Sequence, residues 1–372
     1  EAGINHNGDL QLALDMVEVA KTSGANAIKF QTYKTEEVCG DENQMFTYQS
    51  QGKEITESMF DLFSRFEFTR DEWIAIKEKC DSEGILFLST PQNRSDLDLL
   101  LELGVDAIKV GSDDFNNLSL LSDYATTGLP MIISCGMADM AEVYQALNVI
   151  GTFDGYPTIL LLCTSQYPTP PEDVNLLKLK TLANAFPDLV LGFSDHTRGP
   201  LASSLAVGFG AVVFEKHFTM DNDLEGPDHW FSENPLTLTV WVNAIRESYS
   251  MMGNGIIKPT RDELEMRKLA RRSIVVTKDI KKGELFTKHN IGLRRAGEGL
   301  QPSEIIKFMN RNSNKNLKSF PISSGLGEFN KKNIKFIPYN DIEKSKKNLD
   351  KNKKKISCVL IEPIQASLPQ LN

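Results

Sequence analysis

The chain has 372 residues, 41% hydrophobic and 24% charged, a globular composition long enough for one large domain and a small one, and neither disorder nor a fibre fits it. Its 41 basic and 50 acidic residues leave a net charge of −9, which argues against nucleic acid as the main partner, because a binder needs a positive field along the phosphates. No run approaches the roughly 18 uncharged apolar residues of a membrane span and no basic-then-apolar leader opens the chain, so a cytoplasmic protein without a membrane partner is expected.

The first residues, EAGINHNG, come without Met and without the apolar strand that ordinarily leads into such a Gly-rich turn, so a truncated first strand is expected. Residues 8–24 then place Leu10, Leu14 and Val17 at helical spacing and close on a Gly. A short apolar run follows at 27–32, and the helix-then-strand couplet recurs with runs at 85–90, 107–112, 130–136, 158–165, 189–196 and 212–219. A last helix near 236–252 and the missing strand before Glu1 complete eight units. Such alternation predicts a parallel sheet, and its short period without a dinucleotide GxGxxG favours an α/β fold of the closed (β/α)8 barrel kind over a doubly wound sheet.

Composition changes after residue 252. The expected divisions are a barrel over 1–252, a helix-forming linker over 253–271, a small β-rich domain over 272–326 and an atypical Lys-rich tail over 327–372. Residues 331–356 carry 10 Lys against 3 acidic residues, read as a solvated helix face or loose tail rather than a nucleic-acid patch. The five cysteines, at 39, 80, 135, 163 and 358, include no C-x-x-C pair, so neither a disulfide framework nor a zinc knuckle is implied. Cys135 and Cys163 fall within apolar runs and read as buried small hydrophobes.

A β/α barrel carries its active site at the C-terminal ends of the strands. Those ends offer Glu1, Lys29, Gln31, Thr90, Lys109, Ser112, Ser134, Ser165, Tyr167, Ser194, His196, Glu215 and His217. Lysines and short hydroxyls converging from different strands suit a phosphate or carboxylate, the lysines as point charges and the hydroxyls as directional donors. His196 and His217 end neighbouring strands and could share one divalent metal with open positions. A Schiff-base role for Lys29 or Lys109 is the rival reading. His6 reads as a hydrogen-bonded loop residue, His229 stays undecided between substrate closure and a turn, and His289 reads as surface.

In this order, EAGINHNG, AIKFQT, STP (89–91), IKVGS, ISCGM, CTSQYPTPPEDVNL, GFSDHT, EKHFT and GPDH resemble the sialic acid synthase family, which includes N-acetylneuraminate, N,N′-diacetyllegionaminate and pseudaminate synthases. The likeness covers residues 1 to about 310, and RSIVVTKDIKKGELFTKHNIGLRRAGEG resembles that family's antifreeze-like (SAF) domain. The resemblance implies condensation of phosphoenolpyruvate with an N-acetylmannosamine-type sugar to a nine-carbon 2-keto acid and phosphate. It assigns His196 and His217 to Mn²⁺ or a similar ion such as Mg²⁺ or Co²⁺. Lys29, Thr90, Lys109, Ser112, Ser134, Ser165 and Ser194 would hold phosphoenolpyruvate. Gln31, Tyr167, Glu215 and Asp228 would face the sugar, and Glu1 would serve proton transfer. Arg295 matches the arginine that reaches a neighbouring subunit's sugar site, implying a domain-swapped homodimer.

This chain reads Arg295, Ala296, Gly297 where the family usually has RPG, which loosens that loop because proline would fix φ. Residues 334–370 resemble an internal piece of a class III pyridoxal-phosphate aminotransferase without its Schiff-base lysine, so no aminotransferase activity is expected. The alternatives to a synthase are a pyruvate-type Schiff-base aldolase and an inactive remnant acting as a binding module.

Overall fold

The computed structural model describes residues 1–297, 299–317, 319 and 342–352. The chain divides into two compact units, Glu1–Gly255 and Ile256–Asn372. The aminotransferase-like reading of the tail lies outside the described residues except for one helix, Ile342–Asn352, whose lysines at 344, 346, 347 and 351 are exposed.

The first unit contains β1 (Ala27–Thr32), β2 (Met45–Ser50), β3 (Lys53–Ser58), β4 (Leu86–Pro91), β5 (Ile108–Val110), β6 (Met131–Ser134), β7 (Thr158–Cys163), β8 (Val190–Asp195) and β9 (Val213–Lys216). β1 pairs in parallel with β4, and β5 to β9 form a parallel sheet in chain order. β4 lies beside β5 without a hydrogen-bonded ladder between them. Glu1–Gly3 takes the remaining place in the ring. Ala2 N donates to the Lys29 carbonyl at 2.8 Å, Phe218 N donates to the Glu1 carbonyl at 2.9 Å, and Gly3 bridges Phe30 in parallel. The ring is a (β/α)8 barrel whose eighth position is held by this short stub.

The helices of this unit are α1 (Leu10–Thr22), α2 (Thr35–Val38), α3 (Met59–Phe66), α4 (Arg70–Glu83), α5 (Arg94–Leu103), α6 (Leu118–Ala125), α7 (Met140–Ile150), α8 (Pro171–Val174), α9 (Leu177–Ala185), α10 (Leu201–Gly208) and α11 (Pro235–Met252). Their ends follow local chemistry. Thr69 and Glu72 form a capping box that starts α4, and Gly84 stops it at φ +65, a left-handed turn that costs glycine nothing. One face of α1 buries Ala13, Met16, Val17 and Ala20 in a cluster with Ile28, Phe30, Trp73 and Trp241. Each large side chain buried there contributes roughly 1.5–3 kcal/mol. The other half of the barrel wall packs Ile108, Ile133, Leu160 and Phe193 against α6, α7 and α9.

The couplets expected from sequence all form, and between β1 and β4 the structure adds an antiparallel hairpin, β2–β3, that the sequence reading did not place. Gln51 and Gly52 at its tip both have positive φ, +51 and +73, the backbone that two-residue hairpin turns require. The second unit holds α12 (Arg261–Ala270) and an antiparallel pair, β10 (Arg272–Val276) with β11 (Ile291–Arg295). Its small core joins Val276, Ile280 and Ile291 to Phe286, Phe308 and Leu317. Among the described residues no helix is long and apolar enough to cross a membrane.

Candidate active site

Successive residues of a strand point to opposite faces, and this alternation sorts the barrel wall. On β1, Ile28 and Phe30 join the outer core, while Lys29 faces the lumen and half-buried Gln31 lies opposite Thr90 of β4. On β8 and β9, Ser194, His196, Glu215 and His217 turn inward, and the residues between them turn outward. Those outward residues, Asp195 and Lys216, form a buried ion pair at 3.2 Å. Asp195 also accepts from Thr197 N at 2.8 Å and Ser203 Oγ at 2.6 Å, and Lys216 lies 3.7 Å from Glu233. The sequence reading missed this brace. Its signal was a charged residue between two site residues, in SDH and in EKH.

Inside, the lysines and carboxylates converge. Lys29 pairs with Glu1 and stands 3.6 Å from Glu215, which lies 3.8 Å from Lys109. Lys109 Nζ donates to Ser134 Oγ at 2.7 Å, Lys29 Nζ to Thr90 Oγ1 at 3.5 Å, and Ser194 Oγ to Glu215 Oε1 at 2.7 Å. Burial lowers Lys29 to about 8, with Glu215 opposing the shift. Burial raises Glu215, but Lys109 and Lys29 outweigh it and hold that carboxylate well below its usual range. Gly136 N donates to Ser112 Oγ at 3.0 Å. A Cβ on Gly136 would fall 2.6 Å from Ser112 Oγ and 2.4 Å from Ser165 Oγ, so only glycine lets the two hydroxyls approach. Ser165 Oγ and Glu1 Oε1 are buried without hydrogen-bond partners. A cavity of about 760 Å³ takes in Lys29, Lys109, Glu215 and the apolar lumen residues Leu88, Ile132 and Leu161, and runs on to Gly24, Ala25 and Asn26 ahead of β1 and to Trp241, Arg246 and Tyr249 of α11.

Further along the strands stand the two imidazoles, ring centroids 5.4 Å apart. The Thr164 carbonyl lies 2.8 Å from His196 Nδ1, so Nδ1 carries the proton and Nε2 keeps its lone pair. His217 Nδ1 is buried without a hydrogen-bond partner, and Asp228 Oδ2 stands 3.6 Å away. Burial, and then His196, hold His217 well below its usual pKa, so it is a neutral donor of electrons. Tyr167 covers the pair, 4.3 Å from the His196 ring and 5.7 Å from that of His217. Among the described residues no group of three or more His, Cys, Asp or Glu is arranged to hold a metal. Two imidazole lone pairs, one on an otherwise unpartnered buried nitrogen, nevertheless fit a cation whose other positions are taken by water or substrate.

His6 Nδ1 accepts from Gly8 N at 3.1 Å and its ring stacks on Phe68, holding the first turn. His289 is exposed. Cys135 and Cys163 are buried, but the Cys163 sulfur comes 3.9 Å from His196 Nδ1 and borders the site. Arg295 is exposed on β11 of the second unit, opposite Arg272.

The model of the NeuB family matches residues 16–257. The chain belongs to the NeuB family. It is 40% identical over 321 residues to an N,N′-diacetyllegionaminic acid synthase of Legionella pneumophila, covering 85% of this chain and 90% of that relative. The N,N′-diacetyllegionaminic acid synthase of Campylobacter jejuni is 38% identical over 323 residues, covering 86% and 96%. The crystal structure of an N-acetylneuraminic acid (sialic acid) synthetase from Leptospira borgpetersenii in complex with citrate superimposes with a TM-score of 0.63 at 35% identity, covering 72% of this chain and 89% of that one. The NeuB match and the strand-end constellation fall on the same unit.

Proposed function

We propose that this NeuB-family chain is a nonulosonic acid synthase, a transferase that condenses phosphoenolpyruvate with an acetamido sugar and releases phosphate. The observation that carries the reading is the convergence of Lys29, Lys109 and the hydroxyls of Thr90, Ser112, Ser134, Ser165 and Ser194 below the two imidazoles. The lysines neutralise the phosphate and carboxylate, and the hydroxyls fix their orientation. His196 and His217 would hold Mn²⁺ or a similar divalent ion, which when bound polarises the sugar aldehyde.

The chain's own groups then do the following. Gln31, Tyr167, Glu215 and Asp228 orient the open-chain sugar so that its aldehyde carbon faces C3 of phosphoenolpyruvate. Formation of the C–C bond leaves an oxocarbenium-like C2, to which water adds. Glu1, whose Oε1 is buried and unpartnered, accepts the water's proton. That proton passes to the sugar oxygen that was the aldehyde, and breaking the C2–O bond to phosphate, with the C2 hydroxyl proton leaving on the phosphate, completes the 2-keto acid. An N,N′-diacetyllegionaminate product is favoured over N-acetylneuraminate because the two relatives at 40% and 38% identity both carry that name. Neither a Schiff-base aldolase nor an inactive remnant is favoured by these relatives.

The reading extends to a barrel over 1–252, a linker over 253–271, an SAF domain over 272–326 and a tail over 327–372. It also takes in a domain-swapped homodimer in which Arg295 serves the neighbouring subunit's sugar, and a cytoplasmic location, where phosphoenolpyruvate is made. Mass spectrometry after incubation with phosphoenolpyruvate, Mn²⁺ and either N-acetylmannosamine or 2,4-diacetamido-2,4,6-trideoxymannose tests it. A nine-carbon keto acid in the second tube alone supports the legionaminate reading. Unchanged phosphoenolpyruvate in both, or turnover insensitive to chelator, overturns it.

A further inference from the structure

The β2–β3 hairpin is mostly exposed, yet Ser50 next to its tip is 5% exposed. Its hydroxyl accepts from Gly226 N at 3.1 Å, and the neighbouring Gln51 Nε2 donates to the Asp223 carbonyl at 2.7 Å. Both partners lie in the segment after β9 that carries Asp228. The same segment is gripped from its other side by the turn that opens the barrel. Asn7 Nδ2 donates to the Glu225 carbonyl at 2.8 Å, and Asn7 Oδ1 lies 3.0 Å from His229 Nε2, whose Nδ1 is 2.6 Å from Thr219 Oγ1. Gly226 is wedged between these two grips. Its φ is +145, and a Cβ there would fall 2.8 Å from His229 Cδ2 and 3.2 Å from Asn7 Oδ1. Two residues later, the Asp228 carbonyl accepts from Ser232 Oγ at 2.6 Å and its carboxylate stands 3.6 Å from His217 Nδ1.

The hairpin is itself braced. Tyr48 OH donates to Glu57 Oε1 at 2.6 Å, and Arg65 of α3 clasps the same carboxylate with bonds of 2.6 and 2.8 Å. A braced arm whose buried hydroxyl ends on a distant backbone amide transmits position, since a small displacement of a binding group weakens its contacts sharply.

We propose that the hairpin tip is a positioning arm for the acceptor sugar: Ser50, through Gly226 and with Gln51 as second anchor, sets where Asp228 stands. His229 is the counter-support in this arrangement, rather than a residue that closes over substrate or one that only completes a turn. The proposal rests on the synthase reading, because it takes Asp228 to face the sugar. The phosphoenolpyruvate cradle is built on lumen strands that the arm does not touch, so the two substrates should respond differently.

The test is Ser50→Ala in the full chain, read by steady-state kinetics and by amide hydrogen exchange. The sugar KM should rise about tenfold, the scale of one net hydrogen bond, while the phosphoenolpyruvate KM stays within about twofold. Gly226 should exchange faster, with β1 amides unchanged, and Ser50→Thr, which keeps the hydroxyl, should recover most of the loss. If Ser50→Ala fails to fold, Gln51→Ala carries the same expectations. Equal rises in both KM values, unchanged kinetics with a lowered melting temperature, or unaltered Gly226 exchange would each overturn the proposal. A wild-type protein without turnover instead overturns the synthase reading and the sugar role with it, and the exchange measurement still reports whether the anchor exists.

Discussion

Gly136 and Lys29 show how single residues set the anion cradle. A methyl group on Gly136 would meet Ser112 Oγ and Ser165 Oγ well inside contact distance, at 2.6 and 2.4 Å, so Gly136→Ala must push the two hydroxyls apart. The expected result is a phosphoenolpyruvate KM raised by about tenfold or more, with a small change in the sugar KM, because each misplaced donor loses roughly one hydrogen bond to the anion. Lys29 gives a pH limb. Burial lowers it to about 8, so it is charged below that pH and loses its proton above it. Hence kcat/KM for phosphoenolpyruvate, which reports the free enzyme, should fall as pH rises through about 8. Lys29→Arg should shift that limb upward, since a guanidinium stays protonated. A profile flat to pH 10 would remove Lys29 from anion binding. Most of these residues were legible because strand-end polar residues stand out against apolar runs. Gly136 was not, since its need for space arises only when β5, β6 and β7 place Ser112, Ser134 and Ser165 side by side.

At the scale of elements, β8 and β9 present His196 and His217 only as rigidly as their outer faces are held. The Asp195–Lys216 pair does this from behind the wall, with Lys216 4% exposed and Asp195 fully buried. Removing one partner leaves an uncompensated buried charge, so Lys216→Ala should cost about 3–5 kcal/mol in chemical denaturation. It should also lower kcat, although Lys216 faces away from the lumen. Lys216→Ala with undiminished stability would mean that the pair is relieved by water. The sequence pointed to strands here, but it could not show that Asp195 and Lys216, 21 positions apart, share one face. The hairpin makes the opposite case. Its alternation over MFTYQS and KEITES around Gln51-Gly52 was a readable hairpin signal, and only the long contacts of Ser50 and Gln51 with the 223–226 segment gave it a role.

For the whole molecule, the chain folds as two units, and the proposed swap makes the second unit of one subunit complete the barrel of another. Complementation tests this directly. Lys109→Ala and Arg295→Ala chains, each impaired alone, should regain turnover when refolded together, because a mixed dimer contains one site with neither defect. Mixtures no more active than the sum of the separate variants would place Arg295 with its own barrel or outside the site.

Sequence by itself determined the repeating couplet, the barrel class, the strand-end residues and the family, because each is written locally: apolar period, caps, turn residues and short motifs. Only tertiary structure decided how Glu1–Gly3 closes the ring, that Lys29 and Lys109 share Glu215, that His217 Nδ1 lacks a hydrogen-bond partner, and that a serine at a hairpin tip holds the Asp228 segment. These depend on distances between residues remote in the chain, which no local pattern encodes.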